Sequence, residues 1–540
     1  MNPAAAAWKE TAMTDENWWR GSVTYQIYPR SFMDSNGDGV GDLPGITDKL
    51  PYVADLGVDA IWLSPFFTSP MRDMGYDVAD YRGVDPVFGS IADFDTMVEA
   101  AHKLGLKVII DQVLSHCSDQ HPAFTESRSS RDNPKADWFV WSDPKPDGAT
   151  PNNWQGIFGG PAWEWDTRRR QYYFHNFAKE QPDFNFHNPE VQDFHLDNMR
   201  FWLDRGVDGF RLDTVNYYFH DARLPDDPAD PVKRDGPANK PYDMQYHLHS
   251  KNQPENLDYL KRMRALLDEY DARAMVGEVG DSHHSIDLMG QYTRGSRLHM
   301  AYSFELLGPP FSAEFFRSRI QAFFRGAPDG WPCWAFSNHD VMRHVSRWTK
   351  HGPTTASVAK VAAGLLLTFE GSVCLYQGEE LGQVETELEY HELTDLDGIN
   401  FWPEVKGRDG CRTPMVWDGK APNGGFSTAN KTWLPVKQPQ LDRGVAQQGD
   451  DGVLAFYKAM LALRTAEPSL RDGTQSFLET EEPVLAYTRG HDILCVFNLS
   501  GDPATFTLPG MVTPLLAEAA EVTGDTLALG PNGVMIARLA

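Results

Sequence analysis

The sequence predicts an α/β protein: a (β/α)8 TIM barrel with an inserted domain after strand 3 and a C-terminal antiparallel β-domain. Eight short β-rich runs alternate with helical patterns along most of the 540 residues, as in a parallel sheet of repeated β-α units. Residues 116–184, between the third and fourth runs, are rich in Trp, Pro, Asn, Asp and Gly. So long a stretch is usually a small inserted domain. After a helix-like segment at 453–465, strands alternate in the manner of an antiparallel sheet.

The sequence predicts three domains and the positions of the eight barrel strands. The barrel domain is expected at residues 1–115 and 184–455, the inserted domain at 116–183 and the C-terminal β-domain at 456–540. A second long segment, 224–256, begins with the charged, proline-rich run LPDDPADPVKRDGP and is expected to cross the barrel mouth. The eight barrel strands are expected at 23–28, 60–64, 108–113, 209–212, 274–277, 300–304, 334–337 and 373–376.

Composition excludes several classes of function. The 49 basic and 76 acidic residues give a formal net charge of -27, which repels nucleic acids and anionic membrane surfaces. The longest apolar run, 361–369, is far shorter than the ~20 residues of a membrane helix. The five cysteines are scattered and odd in number, so no disulfide framework is indicated. The N-terminus lacks the apolar core of a secretory signal. We expect a cytoplasmic protein, as a monomer or weak homodimer.

Polar side chains stand at the ends of several predicted strands. Because barrel chemistry is carried at the C-terminal ends of the strands, these side chains are expected to converge. Taken singly, each is more often a structural carboxylate or a satisfied core histidine. Four acidic groups at four strand ends, however, indicate a site kept for chemistry or for a cation. The set consists of Asp111, His116, Arg211, Asp213, Glu278, His339 and Asp340.

These positions lie within a set of eight short sequence motifs. They are QIYPRSF at 26, GDLPGI at 41, DQVLSH at 111, QPDFN at 181, GFRLDTVN at 209, GEVG at 277, FSNHD at 336 and GSVCLYQGEE at 371. In these motifs, and over nearly its whole length, the chain resembles the α-amylase family of glycoside hydrolases. Within that family it is similar to the α-glucosidase and oligo-1,6-glucosidase branch.

The resemblance implies three catalytic carboxyls. Asp213 would be the nucleophile, Glu278 the general acid/base, and Asp340 the carboxylate that holds hydroxyls of a glucose ring. A retaining glycosidase needs two carboxyls about 5 to 5.5 Å apart, one ionised and one protonated. Arg211, two residues before Asp213 on one strand, is expected to keep the nucleophile ionised. Glu278 is expected to have a raised pKa.

Further residues are implied to bind the substrate. His116 and His339 would be neutral donors to ring hydroxyls. Asp73 and Tyr76, in RDMGYD, match the family's glucose-binding pair. In GRDGCRTPMVW, Arg408 is preferred to Arg412 as a wall of the pocket. Two aromatic residues of the inserted domain, Phe158 and Phe177, look like further wall residues.

One metal site is expected. Ser115 stands before His116 where the family commonly has Asn, so the structural calcium of amylases is not expected here. The run DSNGDGVGD instead offers oxygens at the alternating spacing of a calcium loop. We expect structural Ca²⁺ or Mg²⁺ there and no organic cofactor, because the carboxyls already supply the acid/base chemistry. The ligand positions are Asp34, Asn36, Asp38, Val40 and Asp42.

Thr214 is the residue from which we predict the preferred linkage. In the branch that this chain resembles, Thr directly after the nucleophile goes with a preference for α-1,4 bonds, and Val at that position goes with a preference for α-1,6 bonds. We therefore expect hydrolysis of terminal α-1,4-linked glucose from maltose and short oligosaccharides, with transglucosylation where a sugar or alcohol replaces water. The alternatives are an oligo-1,6-glucosidase, a sucrose hydrolase or isomerase, and a trehalose synthase. A non-catalytic barrel like a transporter heavy chain is disfavoured, because no membrane helix is predicted and all three carboxyls are present.

Overall fold

Eight parallel strands form the centre of the protein, as a computed structural model describes it for residues 16–232 and 238–540. Strands adjacent in sequence pair in parallel, and the last strand pairs with the first through Val23 and Val373. A parallel bridge from Ala301 to Pro332 closes the ring. The (β/α)8 barrel is thus confirmed. Its strands are β1 (Val23–Ile27), β2 (Ala60–Leu63), β3 (Lys107–Gln112), β4 (Gly209–Leu212), β5 (Ala274–Val279), β6 (Met300–Ser303), β7 (Cys333–Ala335) and β8 (Ser372–Tyr376).

A helix follows each barrel strand and covers the outside of the sheet. Side chains cap several of the helix starts: Asp42 accepts the N–H of Gly45, and Ser90 forms a reciprocal capping box with Asp93. Each helix buries one apolar stripe against strands whose residues are buried on both faces. The eight helices are α1 (Leu43–Leu56), α2 (Ile91–Lys103), α3 (Pro189–Leu203), α4 (Asn256–Leu267), α5 (Ser285–Thr293), α6 (Ala313–Gly326), α7 (Thr355–Leu366) and α8 (Val453–Ala466).

The insertion after β3 has its own small core. The helix Pro122–Ser127 precedes an antiparallel sheet of Trp141–Ser142, Trp163–Asp166 and Gln171–Phe174. Its apolar centre consists of Val140, Trp154, Ala162, Trp163 and Phe174. Bridges from His116 to Asp183 and from Phe139 to Phe184 tie the insertion back to the end of β3.

The C-terminal unit is an antiparallel sheet, as the alternating pattern predicts. One face packs on the barrel through residues such as Phe497, and the other encloses a separate apolar cluster around Leu494. Helix α8 spans the predicted boundary at residue 455, and the sheet itself begins at Gln475. Its strands are Gln475–Phe477, Val484–Arg489, Ile493–Asn498, Ala504–Thr507, Val512–Thr523 and Thr526–Leu539.

Short elements fill the loops at the barrel rim. The predicted excursion at 224–256 holds a 3-10 turn at Pro241–Met244, whereas its residues 233–237 and the N-terminal residues 1–15 lie outside the described part. Two further strands pair with each other after β2, Phe67–Thr68 and Asp80–Val84. The remaining short helices are His344–Trp348, Leu396–Phe401, Asp409–Arg412, Gln438–Leu441 and Pro468–Arg471, with 3-10 turns at Pro29–Ser31, Val215–Tyr217, Phe304–Leu307, Thr349–His351, Glu379–Leu381, Tyr390–Glu392, Pro422–Gly425 and Val445–Gln447.

Candidate active site

The predicted polar residues lie together at the C-terminal edge of the barrel. Asp111 is on β3 and Glu278 on β5, while Asp213 directly follows β4. These three carboxyls are 0%, 2% and 5% exposed, respectively. Because parallel strands present their carboxyl ends at one rim, residues more than 160 positions apart in sequence come into one cluster.

One guanidinium joins three of the carboxyls. Arg211, on β4 and fully buried, has its Nη1 atom 2.7 Å from Oδ1 of Asp213 and 2.9 Å from Oδ1 of Asp111. Its Nη2 atom lies 2.5 Å from Oε1 of Glu278. The hydroxyl of Tyr302, on β6, accepts from Nη2 of Arg211 at 2.8 Å and donates to Oε1 of Glu278 at 2.9 Å. Arg211 therefore fixes Asp213 and Glu278 relative to each other.

Burial controls the protonation of this cluster. Burial raises the pKa of Asp213 to about 7; Arg211 opposes the rise, and Asp111 and Asp340 add to it. Burial likewise raises the pKa of Glu278 to about 7, again against Arg211 and with help from Asp213 and Asp340. The raised pKa of Glu278 is as expected from the sequence. Arg211 does not hold the pKa of Asp213 low, because burial outweighs its charge and that charge is shared among three carboxyls. Asp213 and Glu278 therefore titrate as a pair.

Thr214 links the two strands that carry these carboxyls. Its backbone is left-handed, with φ 38° and ψ 51°, which costs energy for a β-branched residue. In this conformation its N–H donates to Oε2 of Glu278 at 3.1 Å. Its hydroxyl lies 3.3 Å from Oδ2 of Asp213 and 3.2 Å from Oγ of Ser115. The strained backbone conformation of Thr214 thus points its N–H at the carboxyl of Glu278 and orients that carboxyl.

Asp340 has a different electrostatic environment. Its Oδ1 atom accepts from Nη1 of Arg408 at 3.2 Å and from Nη2 of Arg412 at 3.0 Å, and its Oδ2 atom lies 3.3 Å from Nε2 of His339. Burial alone would raise the pKa of Asp340, but the guanidiniums of Arg408 and Arg412 outweigh it and hold that pKa well below the usual range. Asp340 is therefore ionised near neutral pH and can accept hydrogen bonds.

Tyr76 and His116 line the cavity, and His339 packs behind Tyr76. The rings of Tyr76 and His339 stack with centroids 5.3 Å apart and planes 6° from parallel. The Tyr76 hydroxyl lies 2.5 Å from Nε2 of His339 and donates to Oδ2 of Asp111 at 3.1 Å. Burial lowers the pKa of His116 to about 3 and that of His339 well below its usual value. Both imidazoles are thus neutral near pH 7, as expected from the sequence.

Arg408 connects Asp73 to the inserted domain. Its Nη2 atom donates to Oδ1 of Asp73 at 2.8 Å and to Oδ1 of Asp395 at 2.6 Å. Its guanidinium lies 5.0 Å from the ring centroid of Phe158, which is followed at 6.2 Å by the ring of Phe177. Arg412 is fully buried behind this wall, so Arg408 is the arginine that lines the cavity.

The cavity enclosed by these residues has a volume of about 270 Å³, near the lower end of the range for small-molecule sites. Arg211 and His339 lie behind its surface and contact its lining residues. Every other predicted catalytic or substrate-binding residue lines it. The lining consists of Asp73, Tyr76, His116, Ile157, Phe158, Phe177, Asp213, Thr214, Tyr217, Lys240, Gly280, Glu278, Phe304, Asp340, Asp397 and Arg408.

Sequence reasoning missed several residues that line the cavity or contact its carboxyls. Tyr302 and Phe304 follow the rule of strand ends on β6 and could have been found by it. Lys240, directly before the 3-10 turn Pro241–Met244, and Asp397, in the short helix Leu396–Phe401, are 157 residues apart and form a short ion pair at the cavity. No periodicity or motif marks such loop residues, because their pairing depends on how the two loops meet.

The proposed cation loop is closed by its own hydrogen bonds. Oδ1 of Asp34 accepts the N–H of Gly37 at 2.7 Å, and Oδ1 of Asp42 caps helix α1. Oδ1 of Asp38 accepts the N–H of Val40 at 2.8 Å. Within residues 16–232 and 238–540, no three carboxylate, imidazole or thiol side chains gather as a metal site. These carboxylates therefore accept hydrogen bonds from backbone N–H groups of the loop and of helix α1. A cation there would also need amide or carbonyl oxygens as ligands.

A family model described as "Alpha amylase, catalytic domain" matches residues 26–473. This match covers the barrel from within strand β1 onward, the inserted domain and every residue of the cavity. The chain belongs to the alpha-amylase family. It is a glycoside hydrolase, and the enzyme's nearly full-length relatives support this assignment.

The relatives of this alpha-amylase family enzyme include glucosidases and glucosyl transferases. It is 54% identical to a "Probable alpha-glucosidase" of Rhizobium meliloti (strain 1021), over 97% of this chain and 98% of that one. It is 37% identical to an "Oligo-1,6-glucosidase" of Heyndrickxia coagulans, over 95% and 98% of the two chains.

Solved structures give the same picture of the enzyme's fold. The structure of an "alpha-glucosyl transfer enzyme, XgtA" is similar with a TM-score of 0.93 and 53% identity, over 97% of this chain and 99% of that chain. The trehalulose synthase MutB from Pseudomonas mesoacidophila MX-45 is similar with a TM-score of 0.87 and 32% identity, over 96% and 99%. No helix in the described ranges combines the length and apolar character needed to cross a bilayer.

Proposed function

We propose that the enzyme is a retaining, exo-acting α-glucosidase that releases terminal α-1,4-linked glucose from maltose and short oligosaccharides. The observation that carries this proposal is the sharing of one buried guanidinium, Arg211, by the carboxyls of Asp213 and Glu278 at the floor of a small cavity. Such a pair can hold one proton between two positioned carboxyls, which is what a double-displacement mechanism requires.

In the first step, an oxygen of Asp213 attacks the anomeric carbon and forms a covalent glucosyl ester. The bond from that carbon to the glycosidic oxygen breaks, and Glu278 gives its proton to the leaving oxygen. In the second step, Glu278 takes a proton from water. The water oxygen then bonds to the anomeric carbon while the ester bond breaks, so the product keeps the α configuration.

Asp340 and its neighbours would hold the glucose ring. Asp340 stays ionised beside Arg408 and Arg412, so its oxygens can accept bonds from two ring hydroxyls. Asp73, His116 and the phenol of Tyr76 supply further polar contacts around the same cavity. A sugar that lacks one of these hydroxyls would leave a buried polar group of the enzyme without a hydrogen-bond partner. The site is therefore expected to prefer glucose to its deoxy analogues.

Linkage preference and transfer are supported separately. Thr214 supports α-1,4 bonds, since its hydroxyl lies beside both Asp213 and Ser115. Transglucosylation is supported by the 53% identity to an alpha-glucosyl transfer enzyme. An oligo-1,6-glucosidase is the second candidate, favoured by the 37% identical relative of that name. Sucrose isomerisation and trehalose synthesis share the same chemistry and differ in which hydroxyl receives the glucosyl group.

Proton NMR of reactions with maltose, isomaltose and sucrose tests the proposal. From maltose, α-glucose should be released first, faster than from isomaltose, and new α-glucosyl signals would mark transfer. If β-glucose is formed first, the retaining mechanism is wrong. A faster reaction with isomaltose or sucrose would replace α-1,4-glucosidase by the corresponding alternative.

We also propose that the loop 34–42 binds one structural Ca²⁺ or Mg²⁺. Its support is the alternating run of hard oxygen donors, including the Asn36 amide and the Val40 carbonyl. The ion would stabilise the loop and take no part in the reaction. The five cysteines are free and buried, which supports a cytoplasmic, reducing location. A monomer or weak homodimer is the proposed state, and sedimentation velocity would test it.

A further inference from the structure

The inserted domain carries a surface cleft of about 410 Å³ that shares no residue with the catalytic cavity. Four arginines and two serines line it, and none of its described lining residues is acidic. We propose that this cleft binds a small oxyanion with two negative charges, of the phosphate or sulfate type. The lining residues are Ser129, Ser130, Arg131, Arg168, Arg169 and Arg170.

Arg169 gives the cleft a preorganised floor. It is 8% exposed. Its Nε atom donates to Oε1 of Gln171 at 2.8 Å, and its Nη1 atom donates to the carbonyl of Ser127 at 2.7 Å. The guanidinium also lies 4.4 Å from the ring centroid of Trp141. A guanidinium held in this way loses little conformational freedom when it binds an oxyanion.

Arg131 is held beside this floor by backbone acceptors. Its Nε atom donates to the carbonyl of Arg169 at 3.2 Å, and its Nη2 atom donates to the carbonyl of Arg170 at 2.8 Å. Its one carboxylate partner, Asp143 at 2.8 Å, is itself 63% exposed. Asp143 brings one negative charge against the four arginines of the lining, so most of the positive charge in the cleft is left unneutralised.

Arg168 and Arg170 stand on a stiff turn between two strands of the inserted sheet. Oδ1 of Asp166 accepts the N–H groups of Arg168 at 2.9 Å and Arg169 at 2.8 Å. The charge of Asp166 is neutralised by Arg128 at 2.6 Å. Both Arg168 and Arg170 are exposed, and neither guanidinium has a carboxylate partner among the described residues. The turn therefore keeps unpaired positive charges next to one another.

Burial and a neighbouring positive charge both act on Arg169. Burial lowers the pKa of Arg169 to about 10 and Arg131 lowers it further, while the carboxylates of Asp137, Asp166 and Asp143 oppose the shift. Arg169 is still cationic near neutral pH, so the cleft holds charges that repel. An oxyanion placed among them would remove this repulsion and accept charge-assisted hydrogen bonds from several guanidiniums.

The charge of the whole enzyme favours a small ligand over a polyanion. The formal charge of -27 repels a long polyanion, whose charges extend beyond the cleft. A small dianion inside the cleft interacts chiefly with groups within the screening length of about 8 Å at physiological salt. Within that distance the cleft presents four guanidiniums and two serine hydroxyls. The nearby carboxylates are Asp143, which pairs with Arg131, and Asp166, which pairs with Arg128.

Isothermal titration calorimetry with sodium phosphate and sodium sulfate tests the site, with sodium chloride at matched ionic strength as the blank. The wild-type enzyme should bind one dianion saturably. The variant Arg168→Gln/Arg170→Gln should bind it at least ~10-fold more weakly, because two charge-assisted partners are lost. As a matched control, Arg294→Gln/Arg325→Gln removes two exposed positive charges elsewhere and should change the affinity less than about twofold.

A comparison of phenyl phosphate with inorganic phosphate shows which form of the oxyanion the cleft binds. Phenyl phosphate that binds as well as inorganic phosphate would mean that the cleft accepts a phosphate group on an organic carrier, whereas much weaker binding would mean that it takes the free ion. No saturable binding by the wild type, or equal affinity in the Arg168→Gln/Arg170→Gln variant, would overturn the proposal. Turnover of maltose by both double variants should equal that of the wild type, because neither cluster contacts the catalytic cavity.

Discussion

Thr214 donates its backbone N–H to Oε2 of Glu278 at 3.1 Å, across the gap between strands β4 and β5. This bond, together with the contacts of Arg211, positions the carboxyl of Glu278 relative to the chain that carries Asp213. The geometry of the two carboxyls is therefore set by strand ends and backbone, and depends little on mobile side chains.

Removing either carboxyl should nearly abolish turnover. Asp213→Asn and Glu278→Gln each should lower kcat for maltose by roughly 10³-fold or more, because a covalent intermediate or its acid catalyst is lost. Circular dichroism should be unchanged. With an aryl α-glucoside, whose phenolate leaves without a proton donor, azide should restore activity to Glu278→Ala by attacking the glucosyl enzyme without a general base, and should yield α-glucosyl azide. The control is Asp258→Asn, an exposed carboxyl on α4, and residual activity above a few per cent in Asp213→Asn would reject its role as nucleophile.

Thr214 should control the choice of linkage. Thr214→Val keeps the shape of the side chain but removes the hydroxyl near Asp213 and Ser115. We expect the ratio of kcat/KM for maltose to that for isomaltose to fall by roughly tenfold, about 1.4 kcal/mol. Thr214→Ser keeps the hydroxyl and should retain the wild-type ratio. An unchanged ratio in the Val variant would mean that other wall residues set the linkage.

The ion pair of Lys240 and Asp397 should limit substrate length. It joins two loops at the cavity, and the Lys240 ammonium also lies 5.5 Å from the ring centroid of Phe401. Lys240→Met and Asp397→Asn should raise kcat/KM for maltotriose relative to maltose by about fivefold, through loosening of the loops. The charge-exchanged variant Lys240→Asp/Asp397→Lys should return the ratio toward that of the wild type. If neither single variant changes the ratio, the pair does not restrict the cavity.

The pH profile of turnover should be bell-shaped around neutrality. Asp213 must be ionised and Glu278 protonated, and the pKa of each is raised to about 7, so activity should fall below and above that region. Tyr302→Phe removes a hydroxyl that donates to ionised Glu278. Losing this donor should raise the pKa of Glu278, and the alkaline limb of kcat/KM should move upward by about 0.5 to 1 pH unit. A downward shift would contradict this direction.

Removal of a cation should destabilise the loop 34–42. If Ca²⁺ or Mg²⁺ is bound there at about a hundred times its dissociation constant, EDTA should cost about 2.7 kcal/mol of stability. In a chain of 540 residues this should lower the Tm by about 2 to 3 °C. Asp38→Asn should abolish this response and leave kcat unchanged. An identical Tm with and without EDTA, in protein loaded with each metal, would mean that the hydrogen bonds of the loop suffice.

The strands of the barrel and the three principal carboxyls could be predicted because local patterns encode them. Each barrel strand is a short apolar run, and Asp213 and Glu278 follow or end such runs within motifs. The protonation of Asp213 could not be predicted in the same way. Arg211 is two residues away in sequence, but its charge is divided among Asp111, Asp213 and Glu278 only when β3, β4 and β5 lie side by side.

The sequence by itself determined the order of strands and helices, the residues at the strand ends and the pattern of oxygen donors at 34–42, because each depends on neighbours within one turn or one strand. Only the tertiary structure decided that Lys240 meets Asp397, that Arg412 is buried behind Arg408, and that Arg131 joins the arginines of the turn at 168–170. These relationships join segments that no local pattern connects. Their energies come from burial and from charges brought together by folding, so they exist only once the loops have packed on the barrel.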